Sequence, residues 1–375
     1  MGALAPTSQT VFGSRLLQQL LQRNEPNVFV SPASLELALA MAAAGAQGET
    51  LAAFEHTLGV DVRLAASRAK RLFASLGALP AGVAVEFANS IWARSGLPLS
   101  ASYAVAMRES YRAEVRNLNF ASPGAATLVN DWATRATHGQ IRRVVDSIDP
   151  NSILALVNAT FFHGLWEDHF DPDETVDREF TTGSGGLTEV QMMRKSASFN
   201  YTEDPNLQAV RLPYKAGRFS LLVILPRESL SPAAFHDIAA PSSLSRIMAS
   251  LEDRPGALSL PNVRLTYAAD LKAELLEMGL APAFAVDADF SPIFEGAVPA
   301  YISKVLHKTR LDIDEKGTTA SASTFMGLTI GETVAIKPQT PFEMIVDRPF
   351  LVALTERETD LLLFLGVIGD PTHSE

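Results

Sequence analysis

The positions of apolar residues along the chain predict helices in its first part and strands in the rest. Near the start, apolar side chains recur at helical spacing at Phe12, Leu16, Leu17, Leu20 and Leu21. A second helix is expected to follow Ser31, which can cap it, with Pro32 in the first turn and Gly45 at the end. The same spacing predicts further helices at about 64–76, 101–112, 125–136, 232–251 and 268–278.

Short apolar runs bounded by turn residues predict the strands. The clearest runs are 85–93, 153–162, 208–213, 219–225, 258–265 and 361–368. Helices placed early and strands placed late favour an α+β fold over a regular alternation of strand and helix. Neither a Gly, Ser or Pro-rich linker nor an internal repeat interrupts the pattern, so we predict a single domain over residues 1–375.

One segment departs from this apolar pattern, because the ten residues from Glu315 to Thr324 contain no large apolar side chain. An extended chain shows alternate side chains to opposite faces. One face would begin with small residues and end with bulky ones: Thr318, Ala320, Ala322, Thr324, Met326, Leu328 and Ile330. The opposite face would be mostly polar: Thr319, Ser321, Ser323, Phe325, Gly327 and Thr329. Two interpretations stay open, an ordinary polar surface loop and a functional strand that enters a sheet with its small end first.

The composition is that of an acidic globular protein. Of its 375 residues, 47% are hydrophobic and 19% are charged, which is enough apolar material for a large core. A net charge of −11 argues against nucleic acid or another polyanion as a partner, so heparin is not expected. Apolar runs long enough to span a membrane are lacking, and the absence of cysteine excludes disulfides and thiolate chemistry.

The sequence offers no assembled catalytic or metal-binding site. It contains neither a His-Glu-x-x-His helix nor a Gly-x-Ser-x-Gly turn. His163 and His169 are spaced as no standard ligand pair would be, and His307 is expected to be a hydrogen-bonded core residue rather than a base. We therefore predict no metal, no cofactor and no enzymatic activity.

Several ordered segments together resemble one family, the serpins. They read NVFVSPAS at 27–34, LVNATFFHGLWEDHF at 156–170, ISKVLH at 302–307, DEKGT at 314–318 and DRPF at 347–350. The resemblance extends over about residues 10 to 371, so no single motif has to support it. It implies an α+β serpin-like fold, in which a helical region packs on three β-sheets and a long exposed reactive loop covers about 315–340. The lack of cysteine is compatible with a prokaryotic member of the family.

The resemblance implies an inhibitor of serine proteases that acts as a suicide substrate. A protease would cut the reactive loop and form an acyl-enzyme, and the cleaved loop would then insert into the main sheet; serpin loop insertion is a recognised case of strand addition that releases strain. The alternative is a non-inhibitory serpin that acts as a carrier or chaperone-like binding protein. The hinge, which comprises Glu315 and 317–324, contains no bulky, charged or proline residue from Thr318 to Thr324, and this favours inhibition.

The resemblance also implies two sites within the sheet. The shutter, beneath its centre, would be formed by Ser31, Ser34, Asn158 and His307. The breach, where insertion begins, would be formed by Trp166 and Glu315. Helix capping is the alternative role for the two serines. The basic residue that commonly pairs with the breach glutamate is replaced by Asn262, so the pairing is either absent or moved to Arg264.

The predicted cleavage window is Leu328, Thr329, Ile330, Gly331, Glu332 and Thr333, with the cut after Ile330, Gly331 or Glu332. The family's spacing from the hinge glutamate falls at Gly331, whereas the spacing back from Pro349 falls near Pro338 because the loop is extended. Pro338 follows Lys337 and disfavours attack by trypsin-like enzymes. The expected partner is therefore a serine protease of elastase-, subtilisin- or chymotrypsin-like specificity, or else a cysteine protease.

The resemblance implies an extracellular monomer. The first residues lack a charged start followed by an apolar core, so a signal peptide is not expected in this chain, and a cytoplasmic location is the alternative.

Overall fold

The computed structural model describes residues 6–77, 79–228, 235–296, 298–318, 340–357, 359 and 361–373. The hinge positions after Thr318 and the whole cleavage window therefore lie outside the described residues. Nine helices are assigned within the described ranges: α1 Ser8–Leu21, α2 Pro32–Ala43, α3 Gly48–Leu58, α4 Val62–Leu76, α5 Ala101–Tyr111, α6 Ala125–Ala136, α7 Pro241–Ala249, α8 Lys272–Leu275 and α9 Ala281–Phe284. None of these helices is long and apolar enough to cross a membrane.

Strands make up much of the remaining described chain. Their bounds are β1 Asn27–Val30, β2 Val83–Arg94, β3 Glu114–Leu118, β4 Leu154–Leu165, β5 Val176–Thr181, β6 Leu187–Glu203, β7 Leu207–Pro213, β8 Phe219–Pro226, β9 Glu252–Pro261, β10 Val263–Asp270, β11 Ile302–Ile313, β12 Gly317–Thr318, β13 Phe342–Ile345, β14 Phe350–Glu356 and β15 Leu361–Ile368. The predicted α+β class is confirmed.

The described strands form two hydrogen-bonded sheets. The six-stranded sheet has the order β10-β11-β4-β2-β3, with β12 paired to β4, and the nine-stranded sheet has the order β1-β15-β14-β8-β7-β6-β9-β13, with β5 paired to β6. The third predicted sheet is not separate, because β6 runs without a break from its pairing with β5 and β9 into its pairing with β7. We call the six-stranded sheet the main sheet.

Both faces of the main sheet are covered, so its central strand β4 is apolar on both sides. Leu154, Leu156 and Phe162 join the large core that contains α1 and α2. Val157 belongs instead to a smaller core beneath α6, where Trp132 packs. A strand buried on both faces gives a continuous apolar run in sequence. Polar residues within such a run must find hydrogen-bond partners inside the protein.

The helix α2 lies under the main sheet and is buried along its whole length except at Glu36. Ser31 caps it as predicted, and Pro32 occupies the first turn. Its alanines leave little side chain on the helix surface, which lets neighbouring elements approach closely. The helix ends at Ala43, two residues before the predicted end at Gly45.

Two predicted helices are partly wrong. Of the segment 232–251, the helix α7 covers only Pro241–Ala249. The segment 268–278 begins as a strand, because β10 continues to Asp270 alongside β11 before α8 starts. The burial of β10 alternates residue by residue, which is the period of a strand, and pairing with β11 overrides the local helical spacing.

Candidate functional site

The centre of the main sheet holds a row of polar side chains on three neighbouring strands. Asn158 of β4 lies beside Asn89 of β2 and beside His307 of β11 in the strand register. Each of the three residues is only 1% exposed. Neighbouring strands bring such directly opposite residues into contact. The structure thus brings the predicted Asn158 and His307 together and adds Asn89, which the sequence analysis missed.

Hydrogen bonds run through this row in one direction. The backbone N–H of Ser31 donates to Nε2 of His307 at 3.1 Å, so the ring proton lies on Nδ1, which donates to Oδ1 of Asn158 at 2.5 Å. The amide nitrogen of Asn158 in turn donates to Oδ1 of Asn89 at 2.6 Å. We call Ser31, His307, Asn158 and Asn89 the polar relay.

Burial keeps the His307 ring neutral. Loss of hydration lowers the pKa of His307 from 6.5 to about 3. A neutral ring suits the relay, because Nε2 must accept a hydrogen bond while Nδ1 donates one. A charged ring would have two donors and would repel the N–H of Ser31.

Ser31 caps α2, and both Ser31 and Ser34 tie this helix to the sheets. The hydroxyl of Ser31 accepts from the backbone N–H of Ser34 at 3.3 Å and donates to the carbonyl of Leu363 in β15 at 2.7 Å. The hydroxyl of Ser34 accepts from the amide of Asn158 and from the hydroxyl of Thr160, the latter at 2.5 Å. Helix capping is therefore confirmed for Ser31 alone, and the Ser34 hydroxyl contacts the polar side chains of β4 instead.

At the top of the main sheet, a tight turn from Asp314 to Gly317 holds the start of the hinge. The carboxylate of Asp314 accepts the backbone N–H groups of Lys316 and Gly317 at 2.9 and 3.1 Å. Trp166 donates from its ring to the carbonyl of Asp314 and from its backbone to the carbonyl of Lys316, both at 2.9 Å. Its ring stacks on Tyr214 with centroids 4.5 Å apart.

The carboxylate of Glu315 is held by neutral groups. Its Oε1 accepts from the hydroxyl of Thr175 at 2.8 Å and from the amide of Asn262 at 3.2 Å. Within the described residues no ion pair joins it to Arg264, which is exposed, so that alternative is wrong. Arg264 lies beside Asp312 in the register of β10 and β11.

Gly317 and Thr318 already occupy the top of the main sheet. They pair antiparallel with Leu165 and Gly164 of β4. A side chain at position 317 would bring its Cβ to 2.1 Å from the carbonyl oxygen of Gly164, so only glycine fits there. Thr318 is fully buried, and its hydroxyl lies 2.8 Å from that of Tyr214.

The strands β4 and β11 of the main sheet are not paired with each other where Gly317 and Thr318 lie. The parallel pairing of β11 with β4 runs from Ile302 to Arg310 and reaches Phe161 on β4. Both strands continue beyond that point, to Leu165 and Ile313. The described hinge residues pair with the part of β4 that β11 leaves unpaired.

Two histidines for which the sequence indicated no role contact the hinge backbone. Nδ1 of His169 lies 2.9 Å from the carbonyl oxygen of Lys316. Burial lowers the pKa of His163, although the interaction of the ring with the backbone of Thr318 acts in the opposite direction. The described residues contain no group of three or more His, Asp or Glu side chains placed to share a metal ion.

Several residues of the site were missed by the sequence analysis. Asn89 and Thr160 lie within mostly apolar strands, and Thr309 of β11 donates to the carbonyl of Phe29 at 2.6 Å. A polar residue inside a run that is buried on both faces was the available signal. Tyr214 and Thr175 carried no such signal, because their roles arise from contacts that only the tertiary fold creates.

Comparison with known proteins agrees with this architecture. The family described as "Serpin (serine protease inhibitor)" matches residues 7–371. Iripin-8 of Ixodes ricinus is 31% identical over 367 residues, which cover 95% of this chain and 91% of that protein. The native state of tengpin, a thermophilic serpin, superposes with a TM-score of 0.85 at 27% identity, covering 97% of this chain and 93% of tengpin. Human thyroxine-binding globulin in complex with its hormone superposes with a TM-score of 0.86 at 26% identity, covering 97% and 99%.

The chain therefore belongs to the serpin family and has the serpin fold, as its sequence predicted. Serpins are generally protease inhibitors and not enzymes, although some members, such as thyroxine-binding globulin, are not inhibitors.

Replacing His307 by Gln should reduce the sensitivity of the protein to acid. Glutamine can still accept from Ser31 and donate to Asn158, but it does not titrate. The pKa of His307 is 6.5 in the unfolded chain and about 3 in the folded protein. Between these two pH values only the unfolded chain binds the proton, so the stability of the fold decreases as the pH falls. We expect Tm to fall less in His307→Gln than in wild type when the pH is lowered from about 7.5 to about 5. This range lies above the main range of carboxylate titration.

The matched control is His138→Gln, because the side chain of His138 is 72% exposed and lies near Glu86. An equal loss of Tm in wild type and His307→Gln would show that the relay histidine does not set the acid response.

Proposed function

We propose that this serpin inhibits serine proteases as a suicide substrate, through cleavage of its reactive loop and insertion of the loop into the main sheet. The observation that carries the proposal is the position of Gly317 and Thr318 on β4. These residues begin a new strand between β4 and β11, in the direction that an inserted loop must follow. The shutter and breach roles inferred from the resemblance belong to the same proposal.

The register of β12 gives each inserted residue a partner on β4. Thr318 lies opposite Gly164, and in an antiparallel pair each step along one strand is a step back along the other. Continued without a bulge, the register would place Ala320 beside Phe162, Ala322 beside Thr160, Thr324 beside Asn158, Met326 beside Leu156 and Leu328 beside Leu154.

This register matches the sizes of the side chains on both strands. Met326 and Leu328 would join the large core that Leu156 and Leu154 already occupy. Thr324 would arrive beside Asn158, where β11 must move away and take His307 with it. Its hydroxyl could replace the lost hydrogen bond, and an unpaired buried polar group would otherwise cost about 1–3 kcal/mol. The last residue with a partner on β4 is Leu328, which supports a cut just beyond it.

A carrier function is the second candidate, favoured by a surface cavity. The cavity measures about 840 Å³ and is bordered by α7 and by the strands β7, β8 and β14. Both apolar and charged residues line it, among them Leu244, Met248, Asp253 and Arg357. The similarity to thyroxine-binding globulin adds weight to this alternative. A carrier would be cut by a protease without retaining it, so the covalent complex distinguishes the two functions.

Replacing Thr318 by Arg should convert the protein from an inhibitor into a substrate. Thr318 is fully buried, and an unpaired guanidinium in its place would cost several kcal/mol. The measurement is the fraction of an elastase-like protease trapped as an SDS-stable complex, which we expect to fall by roughly tenfold or more at this cost. Thr319→Arg is the matched control, because the alternation assigns position 319 to the outer face. Undiminished trapping by Thr318→Arg would refute insertion by this route.

The productive cut should fall within Leu328–Thr333. We expect elastase-, subtilisin- or chymotrypsin-like enzymes to be trapped and trypsin to be trapped poorly. Mass spectrometry of the released C-terminal peptide would identify the bond. A stable trypsin complex with a new N-terminus at Pro338 would overturn this assignment, since a longer tether would slacken the hold on the protease.

A further inference from the structure

The short segment from Trp166 to Phe170, which follows β4, holds the turn from which the hinge begins. The backbone N–H groups of Trp166 and Phe170 donate to the carbonyls of Lys316 and Glu315, both at 2.9 Å. The ring nitrogen of Trp166 donates to the carbonyl of Asp314, also at 2.9 Å. Three consecutive carbonyls of the turn are therefore bonded to the residues 166–170, which we call the breach segment.

A lysine from a different strand holds the breach segment in turn. Lys195 of β6 reaches Asp168, where its Nζ donates to the backbone carbonyl at 2.7 Å and contacts the carboxylate at 2.5 Å. The same Nζ lies 5.8 Å from the centre of the Phe170 ring, within the range of a cation–π contact. One amine thus contacts the main chain, a carboxylate and a ring of the same segment.

The two partners of this ion pair have different surroundings. The side chain of Lys195 is 13% exposed, whereas that of Asp168 is 76% exposed. Burial lowers the pKa of Lys195, and its contact with Asp168 acts in the opposite direction. An ammonium group at this depth needs its hydrogen-bond partners, while an exposed carboxylate is solvated without one. The bond from Nζ to the backbone carbonyl is therefore the contact that fixes the segment.

The hold on the turn does not have to be released when a loop inserts. The bonded carbonyls belong to residues 314–316, whereas Gly317 and Thr318 already pair with β4. A strand that continues from Thr318 would therefore extend from a fixed first pair, as the second strand of a hairpin extends from its turn. Fixing that pair in advance reduces the conformational entropy that is lost when the next residues become ordered.

We propose that Lys195 is a positioning residue for loop insertion: it holds the breach segment through the carbonyl of Asp168, and the segment fixes the start of the inserted strand. Among the described residues its hydrogen bond and ion pair are with Asp168 and not with the hinge, so it acts through the segment. The effect on insertion rests on the proposed inhibitory function. The hold on the turn exists in the intact protein and is measured without a protease.

Hydrogen exchange in the intact protein tests the hold directly. Lys195→Met keeps an apolar side chain of similar length against Phe170 and removes both polar contacts. We expect the amide hydrogens of Trp166 and Phe170 to exchange about fivefold faster than in wild type, the effect of losing one hydrogen bond of ordinary strength. Lys70→Met, an exposed change on α4, is the matched control and should leave these rates within about twofold. Equal rates in Lys195→Met and wild type would overturn the inference.

Trapping of an elastase-like protease measures the consequence for insertion. In Lys195→Met the ratio of serpin cut to serpin trapped should rise by about fivefold, because the slower insertion gives the protease more time to escape. The rate at which the protease first cuts the loop should stay close to that of wild type, since the cut precedes insertion. An unchanged ratio, with wild type trapping the protease, would refute the positioning role.

A second variant separates the two contacts of Lys195. Asp168→Asn removes the ion pair and keeps the backbone carbonyl, so it should change the ratio by less than about twofold. An effect as large as that of Lys195→Met would refute the assignment of the hold to the carbonyl. If wild type formed no SDS-stable complex, the proposed function and the role in insertion would both fail, while the exchange rates would still decide whether Lys195 holds the turn.

Discussion

The contact between β4 and β11 at the centre of the main sheet is made through buried polar groups, and the other features of the site depend on it. Apolar strands that pack together separate only at the cost of exposing surface to water. Here the side-chain contact between the two strands includes a hydrogen bond from His307 to Asn158. A hydrogen bond can be exchanged for another of similar strength if a new partner arrives as the old one leaves. A sheet whose strands meet through the polar relay could therefore part there at a lower cost than through an apolar contact, as the proposed insertion requires.

The upper end of the same strands shows how an opening could begin. The turn from Asp314 to Gly317 is fastened by its backbone to Trp166, so the start of the hinge is fixed and Thr318 is placed against the top of β4. Glycine at 317 allows the main chain to touch β4, and Thr318 fills the first inward position. Thr175 and Asn262, both neutral, bind the Glu315 carboxylate by hydrogen bonds. These bonds take the place of an ion pair and require no buried cation.

The sequence predicted what depends on local pattern and missed what depends on tertiary contact. The capping of α2 by Ser31 follows from residue types a few positions apart, and the structure has it. The strand β10 was partly misread because pairing with β11 decides its conformation. Asn89 went unnoticed because β2 also contains Glu86 and Ser90, so a further polar residue does not stand out there, and its importance comes from lying beside Asn158. The union of two predicted sheets through β6 likewise depends on partners that are distant in sequence.

The inward alternation of the loop was visible from the sequence, but its register was not. Only the pairing of Thr318 with Gly164 sets the register of the proposed insertion, and that register, continued without a bulge, would bring Thr324 to Asn158. A threonine at that position is compatible with a polar relay, whereas an apolar residue would leave Oδ1 of Asn158 without a replacement for the His307 donor. In the proposed mechanism, the loop therefore completes the main sheet and supplies the hydrogen bond that His307 gives up.

The most direct test is the Tm of the intact protein compared with that of the same protein cut once in its reactive loop. Adding a strand to a sheet held apart at its upper end should take the molecule to a lower free-energy minimum. We predict that the cleaved protein unfolds at a clearly higher temperature than the intact one. Equal Tm values before and after the cut would contradict insertion and would favour the non-inhibitory alternative.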